Sequence, residues 1–460
     1  MSNKIHICCG FYGVFWIFCV QRVAPLFLWP VFERRNKMKI SLLTIGAMGD
    51  TQPFVALAVG LKQRGHAVRL AARPDFAPLA AAYDIEFAPL GNPYKSLLRN
   101  EEVATAIGSG NMLRMLIKQA SDTHQRKAFF EGLDTDTLRA ASGADAIIYK
   151  SSWLPFFSIA EKLCVPAAAA MFMPLTPTRA FPSFLIGGGV DRGMAINSLN
   201  WLISEQLIWQ VARNFDNKMR RDFLCLPRLP FLGPSAPRLE RTPLYYAYSP
   251  TVLPRPADWP KRIRVTGYWN SAPPPGWTPP ADLVAFLESG PPPVYVGFGS
   301  MPSGNAQNTL KIILKALELS RQRGVLLSGW AGIGEGTKLP DYAFGIQSIP
   351  HSWLFPRVHA VVHHGGAGTT GAGLCAGVPS VITPFVADQP NWGRRVEALG
   401  VGPRPIPFAK LTAELLANAL RETSGHAMRQ RAADLGKLLR SEDGVGTTID
   451  SFAHYCDAGV

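Results

Sequence analysis

The sequence predicts an α/β protein of two doubly wound domains, each a parallel sheet wrapped by helices. Three observations carry the prediction: a strand-helix-strand unit near the front, a second series of such units from Val294, and a proline-rich stretch between them. At 460 residues, 47% hydrophobic and 17% charged, the chain exceeds what one core usually spans, so two cores are expected.

Taken in order, residues 1–37 open with an apolar run of about 16 residues, Ile5 to Val20, shorter than the ~20 that a membrane-spanning helix needs and without a small-residue cleavage site. They read as an over-long gene start or an anchor, because Met38 opens a strong strand at once. Lys39 to Ile45 has the pattern of a buried strand, Gly46 to Asp50 of a turn, Pro53 to Arg64 of a helix and Ala67 to Ala72 of a second strand. This begins a first domain at 38–260. From Val294, the run V-Y-V-G-F-G-S reads as a strand, Ala306 to Arg323 as a helix and Gly324 to Ser328 as a strand. A further strand-turn-helix-strand covers Ala360 to Thr383 and completes a second domain at 294–440. Residues 261–293 carry Pro273, Pro274, Pro275, Pro279, Pro280, Pro291, Pro292 and Pro293; proline suits neither helix interiors nor central strands, so a linker is expected. The closing segment, 441–460, is expected to pack back on the first domain.

Charge and cysteine usage narrow the function. The formal net charge is +14, of which Lys4, Arg22, Arg34, Arg35 and Lys37 against Glu33 place +4 in the first 37 residues. Such an excess suits an anionic ligand or a membrane surface. No run of five or six basic residues, zinc-ligand spacing or aromatic-basic motif occurs, so no nucleic-acid partner is expected. Seven cysteines without C-x-x-C spacing indicate neither a disulfide framework nor a zinc site. The expected location is the cytoplasm, with peripheral contact at a membrane.

The chemistry concentrates in A-V-V-H-H-G-G-A-G-T-T-G, from Ala360. Backbone N–H groups at a helix N-terminus, left uncovered by glycines, form a site for phosphate oxygens. His363 and His364 add donors, and Thr369 and Thr370 add hydroxyls. Gly366, Gly368 and Gly371 spell G-x-G-x-x-G, and Asp388 lies 22 residues past Gly366, so an NAD(P)-dependent oxidoreductase is one reading. Against it, Asp388 follows the loop P-F-V-A instead of closing a strand, and the first turn, G-A-M-G-D, lacks the motif. The D-x-D spelling at Asp134 and Asp136 sits in a helical context rather than at a strand end, so these aspartates are expected at a solvated helix start and no metal site is expected.

H-S-W-L-F-P, V-V-H-H-G-G-A-G-T-T and T-P-F-V-A-D-Q-P-N-W-G-R-R-V together resemble the nucleotide-sugar signature of the family 1 glycosyltransferases, in the branch of sterol glucosyltransferases and bacterial natural-product glycosyltransferases. The similarity continues in T-I-G-A-M-G-D-T-Q-P-F, M-P-L-T-P-T-R-A-F-P and V-Y-V-G-F-G-S-M, covering residues 39 to about 440. It implies two Rossmann-like domains facing a cleft, the GT-B arrangement, and an inverting, metal-independent transfer of a hexose from a UDP- or dTDP-sugar, with no cofactor. It also implies that Trp353 stacks on the donor base, and that His363 with Gly366, Gly368, Thr369 and Thr370 holds the diphosphate. Ser300 would reach the same group from a second loop, and Asp388 and Gln389 would bind sugar hydroxyls. Asp50 would be the general base that takes the acceptor's proton; its plainer role is N-cap of the following helix. Where plant members carry a ribose-gripping glutamate this chain has Gly371, and Pro356 replaces their glutamine, so UDP is the first choice and dTDP the second. Residues 151–184 gather Trp153, Phe156, Phe172 and Phe181, more apolar bulk than a sugar needs, and predict a pocket for a sterol, polyketide or lipid hydroxyl. A monomer or weak dimer is expected.

Overall fold

The computed structural model describes residues 37–92, 132–150, 156–185, 191–233, 240–299, 306–328 and 338–458. Trp153, Ser300 and residues 1–36 of the N-terminal extension lie outside them. The first sheet holds β1 (Lys39–Leu43), β2 (Ala67–Ala72), β3 (Glu86–Pro89), β4 (Ala146–Lys150), β5 (Ala167–Met171), β6 (Leu244–Tyr246) and β7 (Ile263–Val265), ordered β3-β2-β1-β4-β5-β6-β7. The second holds β8 (Val294–Gly297), β9 (Gly324–Leu327), β10 (Ala343–Ile346), β11 (Ala360–His363) and β12 (Ser380–Ile382), ordered β10-β9-β8-β11-β12. Every pairing is parallel, with Ile40 opposite Ala146 and Ala360 opposite Val294. Helices cover both faces of a parallel sheet, so these strands are near-continuous apolar runs such as A-I-I-Y and V-Y-V.

The helices of the first half are α1 (Met48–Gln63), α2 (Ala77–Ala82), α3 (Leu133–Ala141), α4 (Phe156–Leu163) and the long α5 (Met194–Met219). Those of the second are α6 (Ala281–Glu288), α7 (Ala306–Ser320), α8 (His351–Leu354), α9 (Ala367–Ala376), α10 (Gln389–Ala398), α11 (Ala413–Thr423) and α12 (His426–Ser441), followed by α13 (Gly444–Asp457). Each sheet has a core on both sides. Ile40, Leu42, Phe54 and Leu57 pack on one face of the first sheet, and Leu43, Ile147, Tyr149 and Phe156 on the other. A further apolar cluster joins the halves: Tyr246, Tyr248 and Trp259 of the first meet Leu374, Trp392 and Val396 of the second.

The stretch 261–293 is more ordered than a linker. Ile263–Val265 adds an edge strand to the first sheet, and α6 follows Pro280 with Leu283 buried in the second core. The prolines flank these elements rather than interrupt them: Pro280 stands at the N-cap, where proline's missing N–H costs no helical bond. The passage between halves is therefore shorter than its proline content suggests. The final helix, α13, lies on the first half. Its Thr448 hydroxyl accepts from Trp269 Nε1 at 3.0 Å, its Ser451 hydroxyl donates to Tyr245 at 3.2 Å, and its Asp450 pairs with Arg64 of α1 at 2.6 Å.

Candidate functional site

Each sheet reverses its strand order once, between β1 and β4 and between β8 and β11. Loops leaving the carboxyl ends on either side of such a reversal part and open a crevice. The two crevices face each other: α1 packs on α9, and a Cβ on Gly368 would lie 3.9 Å from the Gly49 carbonyl oxygen.

Asp50 sits in the first crevice. The helix begins at Met48 with Ala47 as N-cap, so Asp50 occupies the third helical position rather than the N-cap expected of it. Its Oδ2 accepts from the Ala47 N–H at 3.0 Å, which satisfies an amide that the helix leaves unpaired. Gly46, at φ 139°, brings the chain so close that a Cβ there would collide with the Asp50 carboxylate. The other carboxylate oxygen, Oδ1, lies 2.6 Å from Lys150 Nζ at the end of β4. Lys150 Nζ also donates to the Ile45 carbonyl at 3.2 Å.

In the second crevice the two histidines take opposite sides. His363 is fully buried, its Nδ1 accepts from the Gly365 N–H at 3.1 Å, and burial holds its pKa well below the usual imidazole range. His364 stands between the end of β8 and the glycine turn: a Cβ on Gly299 would lie 3.1 Å from its Cε1, and one on Gly366 2.5 Å from its Nε2. Burial pushes its pKa down to about 4, so it is a neutral hydrogen-bonding group at pH 7. The structure thus corrects the placement of His363 in the turn. Consecutive side chains at a strand end point to opposite faces, and the face of His363 is the core. Thr370 is corrected likewise. It is buried and its hydroxyl donates to Gly366 O at 2.9 Å, while Gly368 is exposed and Thr369 half-buried at the same helix start.

Asp388 closes the crevice from the N-cap of α10. Its Oδ2 accepts from Trp392 Nε1 at 2.8 Å, and burial raises its pKa to about 6, with the Trp392 bond and Lys150 opposing the rise and Asp50 adding to it. Asp50, Lys150 and Asp388 therefore share one electrostatic neighbourhood built from both halves. Gln389 is buried, and its side-chain oxygen accepts from the Phe385 and Val386 N–H groups at 2.8 and 3.2 Å, clasping the loop that carries Asp388. Trp353 is half-buried on α8, edge-on to Trp277 at 5.5 Å with the Arg357 guanidinium 4.6 Å above its ring.

The expected acceptor aromatics separate. Phe156 has no exposed surface and packs on Tyr149, so it belongs to the core. Phe172 is nearly as buried, between Phe54 and Trp269. Phe181 remains half-buried, and Phe181, Phe184 and Trp392 form a chain of edge-to-face contacts that leads to Asp388. Asp134 and Asp136 stand in the first turn of α3 but are half-buried rather than solvated, with Asp136 accepting from the Gly91 N–H at 3.0 Å. Among the described residues no three His, Cys, Asp or Glu side chains gather as a metal site.

Two parallel sheets whose switch points face each other across a glycine turn form the GT-B architecture. Residues 40–182 match the glycosyltransferase family 28 N-terminal domain, and residues 332–442 the C-terminal domain of erythromycin biosynthesis protein CIII-like proteins. The sterol 3-beta-glucosyltransferase UGT80B1 of Arabidopsis thaliana is 36% identical over 432 residues, 92% of this chain and 68% of that protein. The sterol 3-beta-glucosyltransferase of Aspergillus terreus is 35% identical over 91% of this chain and 30% of its own length. The chain belongs to the glycosyltransferase family that contains these enzymes and is itself a hexosyltransferase; the oxidoreductase reading of the glycine motif falls with that assignment. The fold is shared with the glycosyltransferase of kitacinnamycin, at TM-score 0.59 and 20% identity over 90% of this chain and 97% of that one. It is also shared with Streptomyces sp. SF2575 glycosyltransferase SsfS6 complexed with thymidine diphosphate, at TM-score 0.58 and 15% identity over 90% and 99%.

Proposed function

We propose that the enzyme moves a hexose, with inversion, from a UDP- or dTDP-sugar to the hydroxyl of a lipophilic acceptor. The observation that carries this reading is the packing of the α1 start, which holds Asp50, against the α9 N-terminus, with Asp388 in the same electrostatic neighbourhood. In the proposed arrangement Trp353 offers its ring to the base, and the N–H groups at Gly366–Thr369 with His364 receive the diphosphate. Asp388 takes the sugar hydroxyls, on a loop held by Gln389. Asp50 accepts the acceptor's proton as its oxygen attacks the anomeric carbon, and the departing charge develops against the α9 N-terminus, which makes a metal unnecessary for that step.

Apolar surface supports the lipophilic acceptor. Beside the Phe181–Phe184 loop, α5 exposes Met194, Ile196, Leu199, Leu202, Ile203 and Leu207, where a solvated helix would carry polar residues. The sterol-glucosylating relatives point the same way, and peripheral contact with a lipid surface is consistent with this helix. No described helix is long and apolar enough to cross a membrane.

UDP or dTDP at 100 times its Kd should stabilise the fold by about 2.7 kcal/mol. Incubation with a panel of UDP- and dTDP-hexoses and sterol, polyketide and lipid alcohols should yield a product heavier by one hexose or deoxyhexose in mass spectrometry. No stabilisation by either nucleotide and no hexosylated product would reject the reading. Within it, His364→Ala removes one hydrogen bond to a charged group and should weaken nucleotide binding about tenfold by calorimetry. Unchanged affinity would remove His364 from the site.

A further inference from the structure

Lys150 has no part in the nucleotide-sugar signature, yet its ammonium makes the shortest polar contact to Asp50, 2.6 Å from Oδ1. Its origin is topological. β4 reads A-I-I-Y-K, an apolar central strand whose last residue is charged, and β4 adjoins β1 where the strand order reverses. The ammonium therefore emerges in the crevice that the turn after β1 lines, 100 residues along the chain from Asp50. Its side chain is 20% exposed and that of Asp50 29%, so the pair is only partly wetted.

We propose that Lys150 is a positioning residue for Asp50, an inference that rests on Asp50 being the base. The carboxylate is gripped at both oxygens, Oδ2 by the Ala47 N–H and Oδ1 by Lys150, which fixes the carboxylate plane. Each oxygen keeps a further lone pair with which to take the acceptor's proton. The Ile45 carbonyl holds the lysine in turn, so both partners are anchored to the same turn. Asp388, from the facing half, is electrostatically coupled to both members of this pair; the α9 N-terminus also lies against the α1 start. Without the lysine, the carboxylate rotates about its side-chain bonds and spends less time aimed at the acceptor hydroxyl.

The test is a double-mutant cycle on kcat and donor KM with Lys150→Met, Lys150→Arg, Asp50→Asn and the double variant Lys150→Met/Asp50→Asn. Lys150→Met should lower kcat about 10- to 100-fold, the cost of a misplaced reacting group, with donor KM nearly unchanged. Lys150→Arg, which keeps the charge, should recover most of the loss. In the Asp50→Asn background the same lysine change should cost less than about threefold, because a positioning residue has nothing left to position. An equal loss in both backgrounds, or a raised donor KM with kcat intact, would overturn the proposal, the latter making Lys150 a donor-binding cation. An Asp50→Asn enzyme of normal turnover would instead overturn the base assignment beneath it. Circular dichroism on each variant separates these outcomes from misfolding, and Lys150→Gln, which also removes the ammonium, replaces Lys150→Met in the same cycle if that variant fails to fold.

Discussion

Asp50→Asn is expected to lower kcat about 10²–10⁴-fold while donor affinity stays nearly unchanged, the loss typical of a missing general base. Asparagine is nearly isosteric and retains an oxygen for the Ala47 N–H, so the start of α1 should survive. Asp50→Ala removes both functions and should add a stability loss of about 1 kcal/mol for the unmet amide. Turnover with the best acceptor, melting temperature and nucleotide affinity, measured on both variants, separate the two roles. Normal turnover in Asp50→Asn would leave Asp50 as a helix-start residue alone.

Gly368→Val should weaken donor binding about 100-fold and leave the unliganded fold close to normal. Among the described residues a Cβ at this position meets nothing nearer than the Gly49 carbonyl oxygen at 3.9 Å, so the space it enters is the space between the crevices. Gly366 and Gly371 are less clean tests, since side chains there would strike His364 and Tyr268. The valine would hold a diphosphate away from the first N–H groups of α9. Loss of two hydrogen bonds to a charged group, about 3 kcal/mol together, corresponds to about 100-fold in Kd. Calorimetric titration with UDP and dTDP measures it, and a Gly368→Val protein that binds both at wild-type strength would move the phosphate site elsewhere.

Much of this architecture is readable from pattern. Ala67–Ala72 and the strand at Ala360 follow from apolar runs closed by turn residues, and the glycine turn with its phosphate logic follows from residues adjacent in sequence. What is not readable depends on a single residue's phase or on distant partners. His363 and His364 carry the same chemistry, and only the strand's final register decides which ring enters the core. Thr369 and Thr370 differ in the same way, by the 100° that one helical residue turns. Phe156 and Phe181 are alike in composition, yet one fills the core and the other stays half-exposed. Lys150 gave one cue, a charge ending an apolar strand, but its significance appears only when Asp50 comes to within 2.6 Å across the switch point.

The return of α13 to the first half changes what counts as a removable part. Gly267 and Gly444 are in close approach, with a Cβ on Gly267 lying 3.1 Å from the Gly444 Cα. The chain therefore leaves the first half and re-enters it at nearly the same point. Residues 270–443 are in effect a cassette inserted into a surrounding host that keeps Trp269 in its core, with neighbouring ends, the geometry in which domain insertion is tolerated. A chimaera cut once, at the proline-rich stretch, would exchange the last helix of the first half along with the second half and strip Ile449 and Phe452 from the core they complete. Exchange of donor specificity between relatives calls for two cuts at that one seam, leaving α13 with its host.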